Sequence, residues 1–211
     1  MKQTFKFFVA AIAAIFLTVG SFAQTAQEII DKVDAQMNRP TDDGLYMVME
    51  MKFPIIGAVA SQIHSRGDKT RMEISKDGKR SVTYMDGKTH WDYDSEKNTV
   101  TIKTVKSESS SDAEDNVKML KGIADGYTPK IQKETTEAWY IRCTKNRDNA
   151  KKDDPKRMDL VVLKPDFRLK SVSASVSIVT VTMRDFEFGV PESKVTFSAD
   201  EFPGATIVDE R

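Results

Sequence analysis

Few residues in this chain have the types and spacing that chemistry needs. Gly87-Lys88-Thr89 copies the end of a phosphate loop, in which backbone N–H groups cradle phosphate, but that loop needs glycine where Val82 stands. The tripeptide also sits in a hairpin-like turn instead of between a strand and a helix. Arg66-Gly67-Asp68 spells an adhesion tripeptide, which a polar turn explains as well. His64 and His90 fall in strand-like runs with no recognisable nucleophile paired to either, and there is no Gly-x-Ser-x-Gly elbow, so hydrolase machinery is not visible. The single cysteine, Cys143, cannot form an internal disulfide, and with two histidines it offers too few nitrogen and sulfur ligands for a structural zinc site. The Asp and Glu residues are scattered through turns without a committed acid/base pair. The expectation is a protein that is not an enzyme and uses no metal or cofactor.

What stands out instead is soft and apolar. The chain has ten methionines, and Met47, Met49 and Met51 alternate with other residues so as to share one face of one strand. Flexible, polarizable thioethers suit a cavity that adapts to hydrophobic guests, and equally suit an ordinary core that needs its gaps filled.

The elements that would position these residues are mostly strands. Ala26, Ile29, Ile30, Val33 and Met37 recur at helical spacing behind Thr25, with Glu28 completing a capping box, which predicts an amphipathic helix that Arg39-Pro40 stops. Leu45 to Phe53 alternates with period two and predicts a strand. Strands follow over about 58–66, around Arg71 to Ile74, and over 82–85, 89–93 and 99–105, separated by turns at Gly67-Asp68, Asp77-Gly78, Asp86-Gly87 and 94–98. Asp86-Gly87 is the dipeptide that favours a tight hairpin with positive backbone dihedrals. Residues 107–115 are polar and acidic and read as a loop capping a short helix through about Ala124, with Val117, Leu120 and Ile123 on it. Strands resume over 138–143, 158–163, 167–176 and 178–188, with a turn or bulge where the alternation changes phase between Val176 and Val179, and one more strand ends the tail. One continuous antiparallel sheet is more economical than two small domains with unpaired edges.

The first 23 residues read differently. Lys2 and Lys6 form a basic n-region, Phe7 through Val19 an apolar h-region, and Ser21-Phe22-Ala23 a small-x-small cleavage site, the pattern of a secretory signal peptide. The h-region is too short to span a bilayer, for which about 20 residues are needed. Cleavage after Ala23 would leave Gln24, with no cysteine to lipidate, and a single exported domain over 24–211. The 211 residues are 39% hydrophobic and 30% charged with no net charge, which argues for an ordinary globular protein and against a generic nucleic-acid binder.

The run Arg66-Gly67-Asp68-Lys69-Thr70-Arg71-Met72-Glu73, followed by Asp86-Gly87-Lys88-Thr89-His90-Trp91-Asp92-Tyr93-Asp94, resembles the periplasmic outer-membrane lipoprotein carrier family (LolA-like), which has an arginine-containing strand and then a D-G-K-T-x-W-x-Y hairpin. Lys194 to Ser198 with Gly204 to Asp209 looks like that family's terminal F-x-F-x-P-x-x-G segment. The likeness runs the length of the mature chain, and the Asp86 to Tyr93 hairpin is its most specific part. The chain departs from the pattern at Gly67, where the family has proline, and at Val195 and Ala199-Asp200-Glu201, where it has phenylalanine and prolines.

The resemblance implies a mostly β (α+β) fold: an incomplete antiparallel β-barrel of about eleven strands, with the helices as a lid over an apolar cavity. On that reading Met47, Met49, Met51, Met72, Ile74 and Trp91 line the cavity, and the helix with Val117, Leu120 and Ile123 is the mobile cover. Arg66 matches the arginine that holds lid carbonyls in that family and serves cargo release; its five donors suit the task. The implied function is shuttling of triacylated lipoproteins from an inner-membrane ATP-driven exporter to an outer-membrane receptor, by a periplasmic monomer. Three acyl chains of about 15 methylenes would expose on the order of 36 kcal/mol of hydrophobic cost. That exceeds the non-covalent ceiling of about 21 kcal/mol, so such a carrier must receive cargo from an energised partner. A regulatory or scaffold envelope protein on the same fold, or a carrier of another lipid, are the competing readings.

Overall fold

A computed structural model describes residues 24–105, 124–146 and 155–211. The helical pattern at the start folds as α1 (Ala26–Met37), whose capping box forms as expected: Thr25 Oγ1 accepts from the Glu28 amide, and the Glu28 carboxylate accepts from the Thr25 amide at 2.9 Å. Its buried residues are Ile29, Ile30, Val33 and Met37, one stripe at helical spacing.

The strands are β1 (Leu45–Phe53), β2 (Gly57–Arg66), β3 (Lys69–Lys76), β4 (Lys79–Met85), β5 (Thr89–Asp94), β6 (Thr99–Thr104), β7 (Tyr127–Glu134), β8 (Ala138–Lys145), β9 (Arg157–Leu163), β10 (Leu169–Val176), β11 (Val179–Phe188) and β12 (Thr206–Asp209). They form one twelve-stranded sheet in the order β12-β6-β5-β4-β3-β2-β1-β11-β10-β9-β8-β7. Every pairing is antiparallel except β12 with β6. The sheet stays open between β12 and β7, so the architecture is an incomplete barrel of twelve strands instead of about eleven. The additional one, β7, has Pro129 inside it, which sequence patterns weigh against a strand; it is tolerated because β7 is an edge.

One turn differs from expectation. The two-residue loop with both dihedrals positive is Asp77-Gly78 (φ 52° and 79°), whereas at Asp86-Gly87 only the glycine is positive and the Asp86 carboxylate instead accepts from the amides of Lys88 and Thr89. The phase change near Val176 is the β10–β11 turn itself, with Ser177 at φ 56°. The expected 107–115 loop and the helix carrying Val117, Leu120 and Ile123 lie outside the described residues, as does the N-terminal segment 1–23.

Residues opposite one another in antiparallel strands share a face. Met47, Ile63, Met72, Thr83, Asp92 and Thr101 therefore line up on one face, and Tyr46, His64, Arg71, Tyr84, Trp91 and Ile102 on the other. The first face packs against α1 in a cluster that includes Ile29, Ile30, Val33, Met47, Ile141, Leu160, Val172 and Met183. The second is crossed by the segment after β11, a strap over 189–205 that reaches β12. The strap packs Phe197, Phe202 and Ala205 on Val82, Tyr84, Trp91, Tyr93, Val100 and Ile102. It starts where Gly44 (φ 72°) lies so close that a Cβ would sit 2.8 Å from Val190 Cβ, so glycine is required there by both space and backbone.

Candidate functional site

The helix face offers an apolar strip. Beneath α1 it is closed: Ile29, Ile30 and Val33 are fully buried, and Met47 is 1% exposed. Away from α1 the same face loosens. Met49, Met72 and Ala174 are only half-buried against that core. The register row Val59–Met51–Val181–Ala174 is half-buried throughout. Ile74 belongs to this face too, opposite Ser61 and Met49. The strip stops at β3, because the next residues across the sheet from Met72 are Thr83, Asp92 and Thr101, with Thr83 Oγ1 donating to Asp92 at 2.8 Å.

Five of the six residues expected to line one cavity, Met47, Met49, Met51, Met72 and Ile74, thus share a face. Trp91 does not: it pairs with Tyr84 on the opposite face and stacks on Phe197, with ring centroids 5.4 Å apart. Arg66 is also on the strap face, since its neighbours two and four residues back are His64 and Gln62. Its guanidinium donates to the Val190 carbonyl at 2.8 Å and lies 3.8 Å from Glu192, while Lys69 bonds the same carboxylate. What Arg66 holds among the described residues is the start of the strap.

A second fastening has no counterpart among the sequence expectations. Arg71, 8% exposed, donates to Tyr84 Oη at 2.9 Å, to Glu73 at 2.6 Å and to Glu201 at 2.8 Å. Arg80 bonds both carboxylates as well, at 2.8 Å to Glu73 and 2.7 Å to Glu201, and Tyr84 Oη donates to Glu201. Burial opposes the charge on Arg71, yet its bonds to Glu201, Glu73 and Tyr84 outweigh that and hold its pKa above the ordinary value. Burial likewise would raise Glu201, but Tyr84, Arg71 and Arg80 hold its carboxyl below the usual range. Glu73 is held low by Arg80 first, against burial, with Arg71 adding to it. Tyr84 is pushed up to about 12 by burial and by its bond to Glu201. No sequence signal marks it, because Arg71 alternates with Met72 and Ile74 and shares its face of β3 with Lys69, Glu73 and Ser75, an ordinary polar strand face.

The remaining reactive residues are dispersed. Cys143 is fully buried, and desolvation pushes its thiol up to about 11, which suppresses the nucleophilic thiolate. His64 sits on the strap face, 4.7 Å from the Tyr46 ring, with Nδ1 lacking a hydrogen-bond partner; burial first, then Arg71 and Lys194, lower its pKa. His90 is opposite Met85 and Lys103 on the helix face, so the two histidines do not meet. Among the described residues no group of three or more His, Cys, Asp or Glu is placed to hold a metal ion, and no helix is long and apolar enough to cross a membrane.

No protein-family model matches the chain, and no curated protein matches it. Solved structures similar to the chain are distant in sequence. They include an uncharacterized conserved protein from Thermus thermophilus (15% identity over 89% of this chain and 100% of that one, TM-score 0.44). A LolA superfamily protein from Nitrosomonas europaea aligns at 14% identity over 83% and 99%, with a TM-score of 0.34. LprF from Mycobacterium bovis aligns at 8% identity over 79% and 93%, with a TM-score of 0.47. With identities of 15% or less and TM-scores below 0.5, these likenesses assign neither a family nor a role.

Proposed function

We propose that this protein is an exported binding protein, not an enzyme, that shields the acyl chains of lipoproteins or related lipids on the helix face of its sheet. The observation that carries the reading is the strip running out from beneath α1, half-buried at Met49, Met51, Val59, Met72, Ala174 and Val181. Half-buried methionine can repack around a chain of variable shape at little cost, and each methylene moved out of water is worth about 0.8 kcal/mol. The polar positions Thr83, Asp92 and Thr101 bound the strip on one side and leave a wet surface for a headgroup or peptide. The signal-peptide pattern of the first 23 residues and the family resemblance of 66–73 and 86–94 support the finer reading: a periplasmic shuttle loaded by an inner-membrane exporter and emptied at an outer-membrane receptor. The closed packing around Ile29, Ile30 and Val33 favours a second reading, an envelope protein that binds other proteins on the same fold.

The test is release of newly made, triacylated lipoprotein from spheroplasts on adding the purified chain from Gln24, with Met51→Glu and Arg66→Leu in parallel. A soluble complex with the wild type that Met51→Glu fails to form is the expected result. Arg66→Leu that takes up lipoprotein but retains it would put the strap fastening on the release step. Absence of any released lipoprotein sinks the lipoprotein reading.

A further inference from the structure

Large apolar side chains that remain in water are concentrated at one end of the sheet. Of the seven that are exposed among the described residues, four lie in two adjacent hairpin turns: Ile55 (95% exposed) and Ile56 (61%) between β1 and β2, and Val176 (49%) and Ile178 (73%) at the β10–β11 turn. Isolated exposed hydrophobics are ordinary, but a group of them at turns, where Gly, Asn, Asp and Ser are the usual residues, is not. β1 pairs with both β2 and β11, and Lys52 has Ala58 on one side and Thr180 on the other, so the two turns project side by side. At about 5 Å per strand the four strands β2, β1, β11 and β10 span about 15 Å.

Basic side chains surround this end. Lys52 and Lys76 are exposed, and Lys76 Nζ reaches the Ile56 carbonyl at 3.4 Å. Lys156 and Arg157 are exposed at the start of β9, where they line one concavity with Val176 and Ser177. Among the described residues, the acidic ones at this end are Glu50, two positions from Lys52, Asp77 in the β3–β4 turn, Asp94 and Glu96 at the β5–β6 turn, and Asp159, whose carboxylate is already engaged by Arg142 at 2.8 Å and Arg157 at 3.6 Å. Lys79 is paired with Glu96.

We propose that these two hairpin tips dock the protein on the surface of an anionic phospholipid bilayer. Branched aliphatic side chains enter the boundary between headgroups and acyl chains, while the lysines keep their ammonium groups at the phosphates and lay their stems along the apolar turn. Aliphatic tips without Trp or Tyr lack the aromatic anchors that concentrate affinity at protein interfaces, whereas lipid demands only apolar area and positive charge. Docking of this kind needs only the turns and does not depend on the carrier reading. It would place the Met51–Val59–Val181 end of the apolar strip nearest the membrane, because those residues lie within a few positions of the tips.

Flotation of the purified chain with vesicles of phosphatidylethanolamine and phosphatidylglycerol tests it, since such vesicles contain no lipoprotein and a failed carrier assay leaves this result untouched. The wild type floats with them, less as salt is raised and less with phosphatidylcholine vesicles. Ile55→Ser/Ile178→Ser loses at least about tenfold in partitioning, the factor that one lost anchor of ordinary size is worth. Lys52→Glu/Lys76→Glu loses the anionic preference. All four sites are exposed, so unchanged circular dichroism shows that the variants fold. The proposal is overturned if the wild type stays with the soluble fraction, if the isoleucine variant floats equally well, or if phosphatidylcholine vesicles bind it as strongly. It is also overturned if the isoleucines instead drive self-association in sedimentation without flotation, which would make the patch a contact between copies.

Discussion

The sheet buries an apolar cluster on each face, and the two are closed by different means. On the helix face α1 lays down a stripe of aliphatic side chains, and Ile29, Ile30 and Val33 vanish from solvent. On the other face an irregular strap of short 3₁₀ turns cannot present a periodic stripe, and aromatic stacking takes its place: Trp91 on Phe197, Tyr93 on Phe202. Two sets of polar fastenings, Arg66 and Lys69 near its start and Arg71, Arg80 and Tyr84 near its end, fix its path. A helix satisfies its own backbone and needs only burial, whereas a strap must be held residue by residue. The chain also supplies one tryptophan per cluster, Trp139 stacked on Phe167 and Trp91 on Phe197, so each face has its own optical reporter.

The strongest perturbation removes packing from the helix face. Ile30→Ala should cost about 3 kcal/mol, because the site is fully buried and ringed by β-strand side chains that cannot collapse into the space left. Urea unfolding in Trp91→Phe and Trp139→Phe backgrounds reads the two clusters separately. The continuous ladder from β5, which carries Trp91, through β1 and β11 to β8, which carries Trp139, predicts coincident transitions for both reporters. Separate midpoints would show that the two halves of the sheet unfold independently.

The fastened face should be distinguished by its response to acid. Glu201→Gln removes the charge that accepts from Arg71, Arg80 and Tyr84, at about 2 kcal/mol for hydrogen bonds to a charged group that remains partly solvated. Glu201 and Glu73 are both held below their ordinary pKa in the folded protein, so their contribution is complete above the unfolded carboxylate range of about 4.3 and disappears as pH falls through the lower folded values. Wild-type stability should therefore drop in acid, and Glu201→Gln, which has already lost part of that contribution at neutral pH, should show a shallower drop. Denaturation midpoints measured at descending pH decide this; parallel curves would mean that the depressed ionisation of Glu201 contributes nothing to the acid response, and coincident ones that the network contributes nothing to folding.

What the sequence disclosed was local. The capping box at Thr25, the helical stripe behind it, the alternation of Leu45 to Phe53 and most strand bounds are short-range patterns, and all appear in the fold. Which residues share a face across strands is a matter of register, and alternation within one strand does not carry it. Trp91 is therefore compatible with the methionines on sequence grounds, although Tyr84 opposite it shows that it belongs to the other face. The Arg71–Glu201 contact joins residues 130 positions apart, with Glu201 in the segment that departs from the family pattern, so no local motif marks it. β7 was hidden because its Pro129 and lysines suppress the strand signal, as suits an edge that must not recruit another chain.

The smallest effects compare the two caps, one per face. Thr25→Ala should cost about 1 kcal/mol, since it breaks a reciprocal pair of bonds at the start of a helix whose next turns carry Ile29 and Ile30. Ser198 also caps, accepting from the Asp200 amide at 3.3 Å, but the turn it caps is three residues long and Arg71, Arg80 and Tyr84 hold Glu201 in place regardless. Ser198→Ala should therefore cost at most about 0.5 kcal/mol. Making the same change in the Glu201→Gln background sharpens the comparison: if the side-chain network fixes the turn, weakening it should raise the cost of Ser198→Ala, while the cost of Thr25→Ala stays the same. A Ser198 cost that is independent of Glu201 would show that the turn is set by its own backbone and that the strap is less dependent on its fastenings than the contacts imply.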